Sequence, residues 1–176
     1  MKRITAILLA MVFLLAFASC DKKTEDGNGE KEAFDLFKEA NSIVESKSLT
    51  EGFLYLSNAE KVEDKLDADT IHSLYGDILS DPDFSQVEEY AVFIGDSSVN
   101  PCEFGIFKMT DDADTEQFML YLQARIDEKL EQAKSYPEID DEAWTSAKLE
   151  SKNGYIWYLA IKGANDEINT QIKEKV

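Results

Sequence analysis

Over residues 33–44, Ala33, Phe34, Phe37, Ala40 and Val44 recur every three or four positions with charged side chains between them. That spacing predicts a helix with one apolar stripe. The stretch from Ser48 is less regular, and Phe53, Leu54 and Leu56 fit either an extended piece or a short helical turn. Asp69 or Thr70 is placed to cap a helix carrying Ile71, Leu74, Tyr75 and Leu79, which the Asp81-Pro82 pair ends. From Tyr90 the period changes. Residues 90–94 and 103–108 are short aromatic and β-branched runs with turn residues between them, and they predict paired strands.

Asp111, Asp112, Asp114 and Glu116 open a long amphipathic helix, where negative charge suits the positive end of the helix dipole. Phe118, Leu122, Ile126 and Leu130, with Met119 and Ala133, supply its apolar face, and Tyr136-Pro137 stops it. Two more strands are predicted over residues 145–151 and 155–161, joined at Asn153-Gly154, a pair that readily takes the positive φ of a tight hairpin. The second strand is apolar on both faces, so it is expected to be central and covered from both sides. A last helix from Asn165 or Asp166 through Ile168 and Ile172 supplies part of one cover. The pattern predicts an α+β domain, with a mainly antiparallel sheet of about four strands packed against amphipathic helices.

The first residues follow a different logic. Lys2 and Arg3 precede an apolar run over residues 4–17 and then small residues, the order of a secretory signal. Asp21, Lys22 and Lys23 end the run short of the roughly 20 apolar residues that span a bilayer. Leu15-Ala16-Phe17-Ala18-Ser19-Cys20 resembles the lipobox of bacterial lipoproteins, with Phe17 where leucine is commonest. The resemblance implies cleavage after Ser19, flanked by Ala18, and a diacylglyceryl group, and so palmitate-type chains, on Cys20. Residues 1–19 then form a signal peptide. Residues 21–32 carry no large apolar side chain and cannot offset the entropy of ordering. Residues 20–32 are expected to be a lipidated flexible tether, with residues 33–176 as a single α+β domain. Random-coil scaling of about 5–6 Å times the square root of residue number sets the domain on the order of 20 Å from the membrane.

Charge narrows the partners. The chain has 18 basic and 36 acidic residues; removing the leader leaves 16 basic ones and moves the net charge from −18 to −20. Such a field repels phosphate-rich partners, so nucleic acid is excluded, while the membrane enters only through lipid on Cys20. A protein or cell-wall component is the expected class of further partner.

Candidate chemistry is sparse. His72 is the one histidine, with no cysteine or second histidine near it in sequence to complete a zinc site. No serine sits in a Gly-x-Ser-x-Gly elbow. The Asp111–Glu116 cluster lacks the glycine and the twelfth-position glutamate of a calcium loop, and helix-start chemistry explains it better. The acidic loop 137–142 reads as solvated charge. Once Cys20 carries lipid, Cys102 is the remaining thiol, expected to be a small buried residue at a strand end. Trp144, Trp157 and the tyrosines fit either a core or a carbohydrate or peptide groove. No catalytic residue, cofactor-binding residue or metal ligand is assigned, and no cofactor is expected.

Taken with the order of elements, Tyr90-Ala91-Val92, Glu103-Phe104-Gly105-Ile106-Phe107-Lys108, the helix through Arg125 and Ile126, Tyr136-Pro137-Glu138 and Asn153-Gly154-Tyr155 resemble an uncharacterised family of Gram-positive lipoproteins. Its shared part is domain of unknown function 4358. The resemblance runs from about Ile71 to the C-terminus, plus the lipobox. It implies a domain lipid-anchored to the cell membrane on the extracytoplasmic face, and supplies no activity. The expected function is a non-enzymatic binding or accessory module of the cell envelope; the alternative is an envelope hydrolase using acidic residues. Carboxylates converging in a cleft would favour the hydrolase.

Overall fold

Why the first helix begins where it does is decided by Asp35. In the computed structural model, which describes residues 33–76 and 80–176, Asp35 Oδ1 accepts from the N–H groups of Phe37 and Lys38, both at 3.0 Å. The helix α1 therefore runs Leu36–Ser46, and Ala33 and Phe34 precede it. Leu36, Ala40 and Ile43 form its most deeply buried stripe, with Phe34, Phe37 and Val44 packed half-buried beside them. The buried stripe is thus rotated by about one position from the expected one, because the helix packs on the sheet core through Leu36 and Ile43 as well as Ala40. Cys20, Ala18, Ser19, the tether and Leu79 lie outside the described residues.

Five strands follow, one more than expected. The irregular segment around Phe53 is an edge strand, β1 (Gly52–Leu56). It pairs antiparallel with β2 (Val87–Gly95), which pairs with β3 (Glu103–Met109). Next to β3 lies β5 (Tyr155–Ala160), and then β4 (Lys148–Lys152), giving the order β1-β2-β3-β5-β4 with every neighbouring pair antiparallel. Asn153 (φ 52°) and Gly154 (φ 81°) close the β4–β5 hairpin, as their sequence predicts. The strand expected from Thr145 begins later, because Glu142–Thr145 forms a short helix, α4, with the cap-like hydroxyl contact of Thr145 to the Asp141 carbonyl. Helices α2 (Ala68–Ile71) and α3 (Thr115–Ser135) precede it in the chain, and α5 spans Asn165–Lys175. Asp67, rather than Asp69 or Thr70, caps α2 by accepting from Thr70 N at 2.8 Å.

Strand β5 is covered on both faces. Trp157 and Leu159 pack with Phe93, Phe104 and Ile106 beneath α1 and α5, where Ile168 and Ile172 lie. Ile156, Tyr158 and Ala160 face the other way, onto Phe118, Leu122 and Ile126 of α3 and onto Trp144 of α4. Alternation along the strand thus divides one apolar run between two cores. Lys175 binds buried Glu39, and Lys47 binds Glu167 at 2.6 Å, so the first and last described helices are tied to each other. These residues form one compact unit, Ala33–Val176, and among the described residues no helix is long and apolar enough to cross a membrane.

Candidate functional site

Glu103 opens β3 and points to the α3 face, where it meets Arg125. The pair is bidentate: Arg125 Nε donates to Oε1 at 3.2 Å and Nη2 to Oε2 at 2.9 Å. Both residues are buried, at 2% and 6% exposure. Tyr158 donates to the same Oε1 at 2.5 Å, and the hydroxyls of Tyr75 and Tyr158 lie 3.1 Å apart, which leaves Tyr75 as donor to Tyr158. Gly105 makes this possible. It stands directly across from Tyr158 in the β3–β5 register, and a Cβ there would fall 2.5 Å from the Tyr158 ring.

Burial works to lower the charge of the Arg125 guanidinium, but the charge and hydrogen bonds of Glu103 overcome it and hold the group above its ordinary pKa. Burial, then the Glu103 charge, push both tyrosine hydroxyls up, so they stay neutral donors.

On the solvent side of this pair opens a cleft of about 310 Å³. The loop after β2 contributes Asp96, Ser97 and Ser98 at the rim; α3 contributes Arg125 and, one turn on, Lys129; α4 contributes Trp144. Lys129 is half-buried, and burial followed by repulsion from Arg125 lowers its ammonium pKa. Its Nζ donates to Gln132 Oε1 at 3.1 Å. Trp144 is 2% exposed, and among the described residues its Nε1 is the buried side-chain nitrogen or oxygen without a hydrogen-bond partner. Leaving such a donor unpaired costs about 1–3 kcal/mol.

The residues singled out in the sequence are scattered around this cleft rather than gathered in it. Asp114 caps α3 by accepting from Gln117 N at 2.9 Å, as helix-start chemistry requires. His72 lies on the surface with its Nδ1 2.6 Å from Asp81 Oδ1. Cys102 is half-buried rather than buried, because it precedes β3 by one residue; burial and then the Glu103 charge push its thiol up. Trp157 is core, its Nε1 donating to Asn169 at 2.8 Å, whereas Trp144 is both core and cleft wall. The acidic loop is knitted by Lys162, which reaches Asp140 and Glu142, and the Lys162 hydrogen bond holds the Asp140 carboxyl below its usual range.

Among the described residues, no three histidine, cysteine or acidic side chains are grouped so as to hold a metal ion. EDTA is therefore expected to leave the melting temperature unchanged. A calcium-specific shift, compared with sodium at matched ionic strength, would assign a cation to the loop 137–142.

Comparison with known families decides the relationship. The model of the family Domain of unknown function (DUF4358) matches residues 59–161, more than half of the chain. The chain belongs to this family. The DUF4358 match begins before Ile71 and ends before α5, so the family region holds β2 to β5, α3 and the whole cleft, while α1, β1 and α5 lie outside it. No curated protein and no solved structure matches the chain.

Proposed function

We propose that this DUF4358 chain is a lipid-anchored binding module of the cell envelope, held outside the membrane through Cys20 and recognising its ligand in the cleft beside Arg125. The observation that carries the binding reading is the state of Glu103. Its two oxygens are taken by Arg125 and Tyr158, so the one deeply buried carboxylate of the cleft serves the architecture and is not free to pass protons to a substrate. Glycoside hydrolysis by acidic residues typically uses a pair of carboxyl groups flanking one bond. Asp96, the other acidic residue of the cleft, is exposed at the rim. Support for the location comes from the small-residue context of Ala18, Ser19 and Cys20 after a charged and apolar leader. Two or more acyl chains make such an anchor stable, at about 0.8 kcal/mol per buried methylene.

Replacing Cys20 by serine is expected to abolish incorporation of an alkyne-tagged palmitate and to leave the chain unprocessed or shed into the medium. Undiminished labelling of that variant would remove the anchor. In the same preparations, isolated envelope material should release no soluble sugars or peptides when the wild-type chain is added. Release would favour the hydrolase.

A further inference from the structure

We infer that the free edge of β1 is a docking site for an extended, basic segment of a partner polypeptide, which joins the sheet as an added strand. The inference goes beyond the cleft reading and rests on neither the cleft nor the lipid anchor.

The backbone is the first argument. Hydrogen bonds fix the phase of the β1–β2 ladder at both ends: Asp96 N–H donates to the Glu51 carbonyl at 3.1 Å, and Ser57 N–H to the Tyr90 carbonyl at 3.0 Å. Alternation then turns the peptide groups of Phe53 and Tyr55 toward β2 and those of Gly52, Leu54 and Leu56 outward. The Leu56 carbonyl accepts from Ala59 N–H at 3.1 Å. The three outward N–H groups, with the carbonyls of Gly52 and Leu54, have no backbone partner among the described residues. Donors and acceptors repeated at every second residue are what an extended polypeptide binds.

The two edges of the sheet are not treated alike. At the other edge, β4 carries Lys148, Glu150 and Lys152, and α5 is tied to it by Lys148–Asp166 at 2.7 Å and Lys173–Glu150 at 2.6 Å. Charged residues and a covering helix are common ways of closing an edge. Strand β1 has neither a charged residue nor a proline, and α1 packs on β2 and β3. Phe53 is 61% exposed, with its ring 6.4 Å from that of Tyr55 on the same face. Guanidinium groups at alternate positions of an added strand can stack on such a pair.

Charge chooses the occupant. Exposed Glu51 precedes β1 and exposed Asp96 follows β2 beside it, while residues 60–65, whose turn Val62–Asp64 packs against β1, add three acidic and two basic residues. Acidic side chains thus outnumber basic ones around the edge, and none of them is in an ion pair among the described residues. A second copy would bring the same acidic surplus to the same edge, whereas a basic segment relieves it.

Amide hydrogen exchange of the ¹⁵N-labelled full chain, held in uncharged detergent micelles, tests the edge residue by residue. In the free chain Gly52, Leu54 and Leu56 are expected to exchange faster than Phe53 and Tyr55. A capped octapeptide of alternating arginine and valine should slow those three amides about tenfold or more, saturably. The same peptide N-methylated at two adjacent central residues, which removes donors toward either edge, should not, and neither should a glutamate–valine octapeptide. The double variant Glu51→Gln with Asp96→Asn should bind the basic peptide about fivefold more weakly, as the loss of two exposed charges predicts. The inference is overturned if millimolar peptide leaves the three amides unchanged, if either control peptide slows them equally, or if the double variant binds as wild type. Slow exchange at these positions in the free chain that quickens on dilution would instead give the edge to a second copy.

Discussion

Arg125→Met is expected to destabilise the folded chain by about 3–5 kcal/mol, because it strands the Glu103 carboxylate, 2% exposed, without its guanidinium. Tyr158 alone then faces the charge. For a domain of this size that corresponds to a fall in melting temperature on the order of 10 °C. Urea unfolding of the wild type and the variant measures it directly. The double variant Glu103→Leu with Arg125→Met removes both charges and is expected to recover most of the loss, since a buried pair is stabilising chiefly by comparison with a half pair. A single-variant loss under about 1 kcal/mol would show that water reaches the carboxylate and that the pair behaves as a surface one.

An effect of similar size is expected on the opposite face of the sheet. Trp157 is fully buried beneath α1 and α5, and Trp157→Ala should cost about 3–5 kcal/mol through lost contacts and the cavity left behind. Its indole N–H also satisfies Asn169, itself 8% exposed, so the substitution leaves a buried amide oxygen unpaired as well. Leu120→Ala provides the contrast. That leucine is 55% exposed, and its loss should fall within about 0.5 kcal/mol of zero. If Trp157→Ala unfolded at nearly the same urea concentration as wild type, the helices would not be sealing that core.

Local pattern made much of this architecture legible. The Asn153-Gly154 hairpin, the doubly covered strand β5 and the stripe of α3 each follow from a few neighbouring residues, and each stands where the pattern puts it. Edge strand β1 was ambiguous for a physical reason. Phe53 is 61% exposed, so the segment does not show the clean alternation of a half-buried strand. The start of α2 depended on which of several neighbouring residues, Asp67, Asp69 or Thr70, took the cap, and only the side-chain hydrogen bond settles that. The cleft was the least legible part, because Glu103 and Trp144 reach it from segments far apart in sequence. One signal was present. Arg125 stands seven residues after Phe118 and three after Leu122, in phase with the apolar face of α3, where a charged side chain calls for a buried partner.

The covering of the sheet by different helices on its two faces has a consequence for access. Phe34, at the start of the described chain, packs edge-on against Tyr155 at 5.0 Å, on the core shared with α1 and α5. Glu103, Arg125 and Trp144 belong to the opposite layer. The five strands therefore act as a partition between the layer that Phe34 and α1 join and the layer that holds the cleft. A load applied upstream of Ala33 enters through α1 and is shared with α5 by the Glu39–Lys175 and Lys47–Glu167 links before it reaches the strands. Strands β2 and β3 pack beneath α1 and also carry Ile94, Gly95 and Glu103 of the cleft, so strain that enters at Phe34 reaches the cleft only by way of the sheet.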